Sequence, residues 1–388
     1  MAEIAIVAGV RTPFGRAVKG VFKDTRPEDF AAPLIPELLR RVPQVKASEV
    51  EDVILGCAMP EGEQGLNLAR IVGLLGGLPV EVPAMTVNRF CSSGLQAVAL
   101  AAGRMALGEI DVAIAGGVES MSLVPMTGNK MTVNPGLADR WPEVYVPMGI
   151  TAETVARRFE VSRQQQDQFA LESHQKAVAA QKAGRLQGEI LPTDAVAWGS
   201  DGKKQAVRVE QDEMPRADSS LEKLASLKPA FDPKGSVTAG NSSPLTDGAA
   251  MVLLMTRAEA ERRGVKPLGY LRQFTAKGVP PEIMGIGPVP AILALLEKTR
   301  LALGDIDLFE VNEAFASQAA YCARELKLPK EKLNVNGGAI AVGHPLGATG
   351  ARQIITVLGE LARRGARYGV CSMCIGGGMG AAALVERA

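Results

Sequence analysis

Residues 49–58, EVEDVILGCA, and residues 305–314, DIDLFEVNEA, are two versions of one pattern: an acidic lead, a short apolar run and a polar or small-residue exit. Two further echoes keep the same order. A Val-Asn pair follows each segment, at Val87-Asn88 and Val335-Asn336, and VAIAGGVE, starting at Val112, is answered by SMCIGGGMG, starting at Ser372. Three matches in one order read as a duplicated chain with two similar halves. Around these landmarks, runs at 4–8, 52–55, 111–115, 251–255, 308–311 and 367–373 read as strands, alternating with Ala/Leu-rich helical segments. Such alternation predicts an α/β fold with largely buried sheets.

A stretch of different character separates the halves, from about residue 118 to residue 243. It opens on ESMSLVPMTGNKMTVNPGLADRWPEVYVPMG, too long for a mere connection, and continues into a helix that a capping box at Ser162-Arg-Gln-Gln165 starts and Gly184 ends. Residues 199–235 hold seven basic and seven acidic side chains, which favours a solvated surface over a phosphate patch. Inserted loops of this size usually cover or shape a site. The expected organisation is a first half from 1–117 completed by 244–268, an inserted loop domain at 118–243, and a second half at 269–388.

Composition narrows the partners. With 388 residues, 47% hydrophobic and 22% charged, the chain can bury a large core. A formal charge of +1 and only 4% aromatic residues offer neither a basic field nor a stacking platform, so nucleic acid is not expected. No segment approaches the roughly 20 apolar residues of a membrane helix, and the amino terminus, MAEIAIVAGVRTPFG, reads as a strand rather than a signal peptide. Five scattered cysteines suit free thiols in a reducing compartment, so the cytosol is expected.

Four constellations carry chemistry. In VNRFCSSGLQAVALAAG, Val87 to Gly103, Cys91 stands at the amino end of a helix whose apolar stripe is Leu95, Val98, Ala99 and Ala102, with Ser92 or Ser93 as its cap. Helix-end N–H groups would favour a thiolate there, lowering the thiol from about 8.5. In NVNGGAIAVGHPLGATGARQI, Asn334 to Ile354, glycines flank His344, one of two histidines, leaving the backbone free to present an imidazole as base or oxyanion donor. His174 lies in LESHQKAVAAQKAG and reads as a helix-surface residue without a role. Cys371 and Cys374 form C-x-x-C, but positions i and i+3 of a strand face opposite ways and nothing completes a metal shell, so a metal is not expected. Gly376-x-Gly378-x-x-Ala381 lacks room for the helix and strand of a dinucleotide site before the chain ends. Cys374 reads instead as a second reactive thiol beside glycine N–H groups, and Asn312, in FEVNEAFAS, as a polar group at a strand end.

Together these motifs resemble the thiolase family over essentially the whole chain. VNRFCSSGLQAV is similar to its nucleophile motif, NEAFA to its asparagine motif, GHPLGATGAR to its histidine motif and CIGGGMG to its second-cysteine motif; TAGNSSPLTDGAA and IMGIGPVPA are also similar to thiolase segments. The resemblance implies two βαβαβαββ halves stacked as a five-layered αβαβα core, with a loop domain that holds coenzyme A as a substrate and no separate cofactor. It implies that Cys91 carries the acyl group, that His344 activates it and, with a water held by Asn312, forms one oxyanion hole, and that Cys374 moves the α-carbon proton. The N–H groups of Cys91 and Gly376 would form the other hole. Ser243, Met148, Met284, Ala314 and Phe315 would line the pantetheine and acyl pocket, and Arg216 would approach the adenine end. Dimers or tetramers are usual in the family.

Pro147 stands before Met148 where acetyl-specific biosynthetic members carry a histidine, and VNRFCSSG and EGEQGLNLAR look more like the degradative branch. The expectation is therefore a 3-ketoacyl-CoA thiolase, acetyl-CoA acetyltransferase being the alternative. A ketoacyl synthase would leave Cys374 idle and lacks its second histidine. A non-catalytic coenzyme A binding protein on the same scaffold would have no use for the Cys91, His344, Asn312 and Cys374 set, and a zinc or redox dithiol protein is the last rival.

Overall fold

The computed structural model describes residues 3–199 and 201–388. Its strands are β1 (Ile4–Arg11), β2 (Gly15–Arg16), β3 (Asp52–Gly56), β4 (Ala84–Val87), β5 (Val112–Glu119), β6 (Thr193–Trp198), β7 (Lys204–Val209), β8 (Thr246–Thr256), β9 (Gly269–Gly278), β10 (Leu308–Val311), β11 (Tyr368–Ile375) and β12 (Met379–Arg387). Apart from the β6–β7 hairpin they form one hydrogen-bonded path, β10-β11-β12-β9-β1-β8-β5-β3-β4, with β2 beside β8.

The path divides into two equivalent runs. In the first half the strands pair β4-β3-β5-β8-β1, so the third strand in chain order is at the edge, then the second, fourth, fifth and first. The second half repeats this as β10-β11-β12-β9, its third strand reduced to a single parallel bridge between Phe309 and Leu333. The runs meet where Ile4 to Ile6 pair antiparallel with Gly269 to Leu271. The acidic lead of each repeat has the same local purpose: Glu49 accepts the Lys46 N–H at 2.8 Å and Asp305 accepts the Ala302 N–H at 2.8 Å, each closing a short 3₁₀ turn before its strand.

Three cores account for five layers. Helices Pro27–Ala31, Leu34–Arg41 and Leu68–Leu75 pack through Phe30, Leu34, Ile35, Leu68 and Val72 on one outer sheet face. Helices Pro288–Thr299 and Ala316–Glu325 pack through Ile292, Leu295, Tyr321 and Cys322 on the other. Between them lies a core shared by Leu95 and Val98 of helix Ser93–Ala106 with Ile354 and Leu358 of helix Thr349–Arg364. Sandwiched strands need apolar residues on both faces, and β1, β5 and β8 are buried along their whole length. The two central helices approach at glycine: a Cβ on Gly350 would strike the Leu95 backbone and one on Gly94 the Gly347 carbonyl. That contact carries the start of one half's helix to the start of the other's.

Several sequence expectations need correction. Neither Ser92 nor Ser93 caps its helix; the Ser93 hydroxyl accepts the Arg89 N–H at 2.9 Å and donates back to the Phe90 carbonyl at 2.7 Å, closing the turn before the helix. His174 is not a surface residue. It is 5% exposed, and its Nδ1 accepts the Arg216 N–H at 3.2 Å. The helix of the NEAFA segment begins at Ala316 rather than Ala314. The capping box at Ser162 and the left-handed Gly184 are as read. Among the described residues no helix is long and apolar enough to cross a membrane.

Candidate active site

Cys91 follows β4 in a short 3₁₀ turn, Phe90–Ser92, that runs into the helix. Phe90 takes φ +44°, a left-handed value unusual for a non-glycine residue, and Asn88 holds the turn by accepting the Phe90 N–H at 2.7 Å while donating to the Ala58 carbonyl at 2.9 Å. The result is a thiol at the helix start that is 1% exposed. Burial governs its acidity, pushing it up to about 12 despite the Gly376 N–H that hydrogen-bonds to it. The expected low-pKa thiolate is therefore not the resting state.

His344 reaches the cleft on a loop whose Gly343 takes φ +99° and whose own N–H donates to Thr246 at 3.0 Å. Its ring is held at both nitrogens. The Thr349 hydroxyl hydrogen is committed to the Pro345 carbonyl at 2.9 Å, so at the 2.6 Å contact Nδ1 donates to Thr349 Oγ1. Nε2 is thereby left as acceptor, and the Asn312 amide donates to it at 3.1 Å. Burial, reinforced by the charge of Arg352, holds the imidazole down to about 3, so it is neutral, with its lone pair on Nε2. Asn312 stands just past β10, with its N–H on the Ser372 carbonyl at 2.8 Å, and its Oδ1 is buried without a partner.

Cys374 and Cys371 lie on opposite faces of β11: Cys371 joins the central core, whereas Cys374 packs with Met284, Ala314, Met148 and Phe315. Burial raises the Cys374 thiol well above its ordinary range, and the proximity of Cys91 raises it further. Gly376, two residues on, supplies the N–H at Cys91. The segment after it turns through Gly377 and Gly378 into the antiparallel β12, with no dinucleotide-type helix. Sulfurs from the two halves thus lie together, and Leu346, two residues past the His344 imidazole, belongs to the same apolar cluster as Cys91.

The remaining residues read from sequence fall in two places. Ser243 donates through both N–H (3.0 Å) and hydroxyl (3.1 Å) to the Ala314 carbonyl, bringing the inserted segment onto the Met148, Met284, Ala314, Phe315 and Cys374 cluster. Arg216 is exposed and stands apart from that cluster, tethered through its N–H to His174. A cavity of about 700 Å³ opens elsewhere, between helices Arg163–Lys182 and Ala316–Glu325, and touches the site only through Glu313, the neighbour of Asn312. Sequence reading missed Thr349, Thr246 and Glu119. Thr349 carried a signal, five residues past a glycine-flanked histidine, but the other two act through contacts distant in sequence.

Both protonation states bear on pH dependence. A thiol held up to about 12 and an imidazole held down to about 3 keep the pair in its one-proton form, S–H with neutral ring, across the neutral range. Acylation of Cys91 is expected to vary less than about threefold between roughly pH 6 and 9. Stopped-flow acylation rates rising tenfold per unit over that interval would show that bulk deprotonation, not the imidazole, makes the nucleophile.

Two buried thiols from opposite halves, a backbone N–H at one of them and a neutral imidazole on the adjoining loop of a duplicated α/β fold are groups suited to acyl transfer. The chain matches the family model "Thiolase, N-terminal domain" over residues 4–258 and "Thiolase, C-terminal domain" over residues 265–387, and it belongs to the thiolase family. It is 51% identical over 391 residues to a 3-ketoacyl-CoA thiolase of Bacillus subtilis (strain 168), covering 100% of both chains. It is 50% identical to the human peroxisomal 3-ketoacyl-CoA thiolase, covering 99% of this chain and 91% of that protein. Among solved structures, the crystal structure of the Bacillus anthracis acetyl-CoA acetyltransferase superposes with a TM-score of 0.92 at 40% identity, covering 100% and 99% of the two chains.

Proposed function

We propose that the chain is a 3-ketoacyl-CoA thiolase, cleaving 3-ketoacyl-CoA with coenzyme A to acetyl-CoA and a shortened acyl-CoA, as fatty acid β-oxidation requires. The observation that carries the reading is the meeting of Cys91 and Cys374, from opposite halves, beside the Gly376 N–H, with the His344 loop packed on Cys91 through Leu346. Full-length identity near 50% to proteins of that name supports it. Pro147, in place of a histidine before Met148, favours this reading over an acetoacetyl-specific enzyme.

In this mechanism Cys91 gives its proton to His344 Nε2, which needs the Asn312 amide to release that lone pair, and the sulfur attacks the 3-keto carbon. The developing oxyanion lies among the proposed donors: His344, now protonated, with a water bound by the free Asn312 Oδ1, or the Cys91 and Gly376 N–H groups for the thioester stage. Breaking the C2–C3 bond leaves the shortened acyl group on Cys91 and expels an enolate, which Cys374 protonates to acetyl-CoA. The proton held by His344 re-forms the Cys374 thiol, and the freed imidazole then takes the proton of incoming coenzyme A, whose sulfur displaces the acyl group, and passes that proton to the departing Cys91 sulfur. Met148, Met284, Ala314, Phe315 and Ser243 line the path of the pantetheine and acyl chain, and residues 118–243 act as the loop domain holding coenzyme A, with Arg216 toward the adenine end.

The working form is a homodimer or homotetramer in the cytosol. Supporting this, β4 is a sheet-edge strand, and Met85, Leu66, Leu74 and Leu75 are exposed on or near it. All five cysteines are free and buried, which suits a reducing compartment. Incubation with acetyl-CoA is expected to leave one acetyl group on Cys91, read by intact and peptide mass spectrometry; a label elsewhere, or none, would overturn the assignment. Thiolysis rates for acetoacetyl-CoA against longer 3-ketoacyl-CoA substrates separate the two subtypes, since the acetyl-specific alternative accepts the first alone.

A further inference from the structure

An imidazole from one half must be set against a sulfur from the other to within a fraction of an ångström, and Glu119 stands where that alignment is made. It closes β5, is 1% exposed, and its carboxylate is surrounded by donors. Oε2 accepts the Ala58 N–H at 2.8 Å and the Gly347 N–H at 2.8 Å; Oε1 accepts the Met59 N–H at 3.1 Å and the Gln64 amide at 3.1 Å, with the Cys57 thiol at 3.6 Å. Gly347 is three residues past His344, and Ala58 accepts the Asn88 amide that braces the Cys91 turn. One carboxylate oxygen therefore bonds the histidine loop directly, at Gly347, and the Cys91 turn at one remove, through Ala58 and Asn88.

The fit on the other side of Gly347 leaves little slack. A Cβ on Gly347 would strike the Val118 and Gly56 carbonyls, and a Cβ on Gly94 or Gly117 would strike the Gly347 carbonyl. The Gly347 peptide is thus wedged into the first half with its oxygen among glycines and its N–H on Glu119. Activation of the nucleophile does not explain the carboxylate, because its charge opposes a thiolate at Cys91. Nor would an amide serve as well, since a glutamine places two hydrogens among groups that are themselves donors.

We infer that Glu119 is a positioning residue for the transfer reaction, seating the His344 turn against Cys91 through the Gly347 N–H. The inference rests on the thiolase reading of Cys91 and His344. Its test is single-turnover acetylation of Cys91 by acetyl-CoA in full-length Glu119→Gln, His344→Ala and the double variant. Glu119→Gln is expected to slow acetylation by about 100-fold, a loss typical of displaced catalytic groups, with the coenzyme A dissociation constant within about threefold of wild type. In the His344→Ala background the same substitution is expected to cost less than about threefold, since it acts through the imidazole.

An equal loss in both backgrounds, or unimpaired acetylation in Glu119→Gln, overturns the inference. Should Glu119→Gln not fold, Glu119→Asp keeps the charge but is too short to reach both the Ala58 and the Gly347 N–H and is expected to behave alike; failure of both to fold makes Glu119 a folding residue and also overturns it. If wild-type protein takes up no acetyl on Cys91, the thiolase reading itself fails, an outcome distinct from all of these.

Discussion

Cys374→Ala is expected to leave acetylation of Cys91 by acetyl-CoA within about threefold of wild type while slowing 3-ketoacyl-CoA thiolysis by roughly 10³- to 10⁴-fold, the upper range for loss of a general acid. The split follows from where each sulfur sits. Cys91 has the Gly376 N–H and lies beside the His344 loop, with Leu346 packed near it, whereas Cys374 faces the Met284, Ala314 and Phe315 cluster. Acyl exchange on Cys91 needs no proton at the α-carbon. Carbon–carbon cleavage does, because its leaving group is an enolate. The variant removes a buried sulfur from an apolar cluster, and its cavity costs about 1–2 kcal/mol of stability, too little to unfold a core of this size. Mass spectrometry of the acetyl-enzyme and spectrophotometric thiolysis check the two rates separately; a parallel fall in both would show that Cys374 shapes the nucleophile rather than serving the enolate.

How far the sequence discloses such a site depends on the range over which its physics acts. Cys91, His344, Asn312 and Cys374 are legible because each is marked by its immediate neighbours: a helix start, flanking glycines, a strand end. The duplication is legible for the same reason, since the acidic leads at Glu49 and Asp305 make the same local turn. Strands β9 and β12 escape notice, one being half-buried along most of its length and the other opening with small residues that carry little periodic signal. Glu119 cannot be found by spacing, as its partner Gly347 lies 228 residues away.

The error over Cys91 is more instructive. A helix amino end contributes about 0.3–1 kcal/mol toward an anion, less than one pKa unit. Complete burial opposes it by as much as 3–5 units. Sequence displays the first term and hides the second, so the sign of the shift came out reversed. His174 errs for the same reason: alanines and charges around it suggest a surface, but the loop carrying Arg216 folds over it and burial holds its imidazole down to about 4.

Because Cys91 rests as a thiol, His344→Ala should impair both half-reactions, unlike Cys374→Ala. Acetylation at neutral pH is expected to fall by about 10³- to 10⁴-fold, as for loss of a general base together with an oxyanion donor. The pH profile supplies the sharper criterion. With the base gone, reaction must proceed through whatever thiolate the solvent generates, and for a thiol held up to about 12 that fraction grows tenfold per pH unit throughout the range below. A rate flat in wild type should therefore become one rising with unit slope from pH 6 to 9, and Thr349→Val, which deprives Nδ1 of its acceptor, should fall between the two. If His344→Ala were slow yet still flat, the proton of Cys91 would be leaving to some other group in the cleft, and the Asn312–His344–Thr349 chain would be a structural brace rather than the path of that proton.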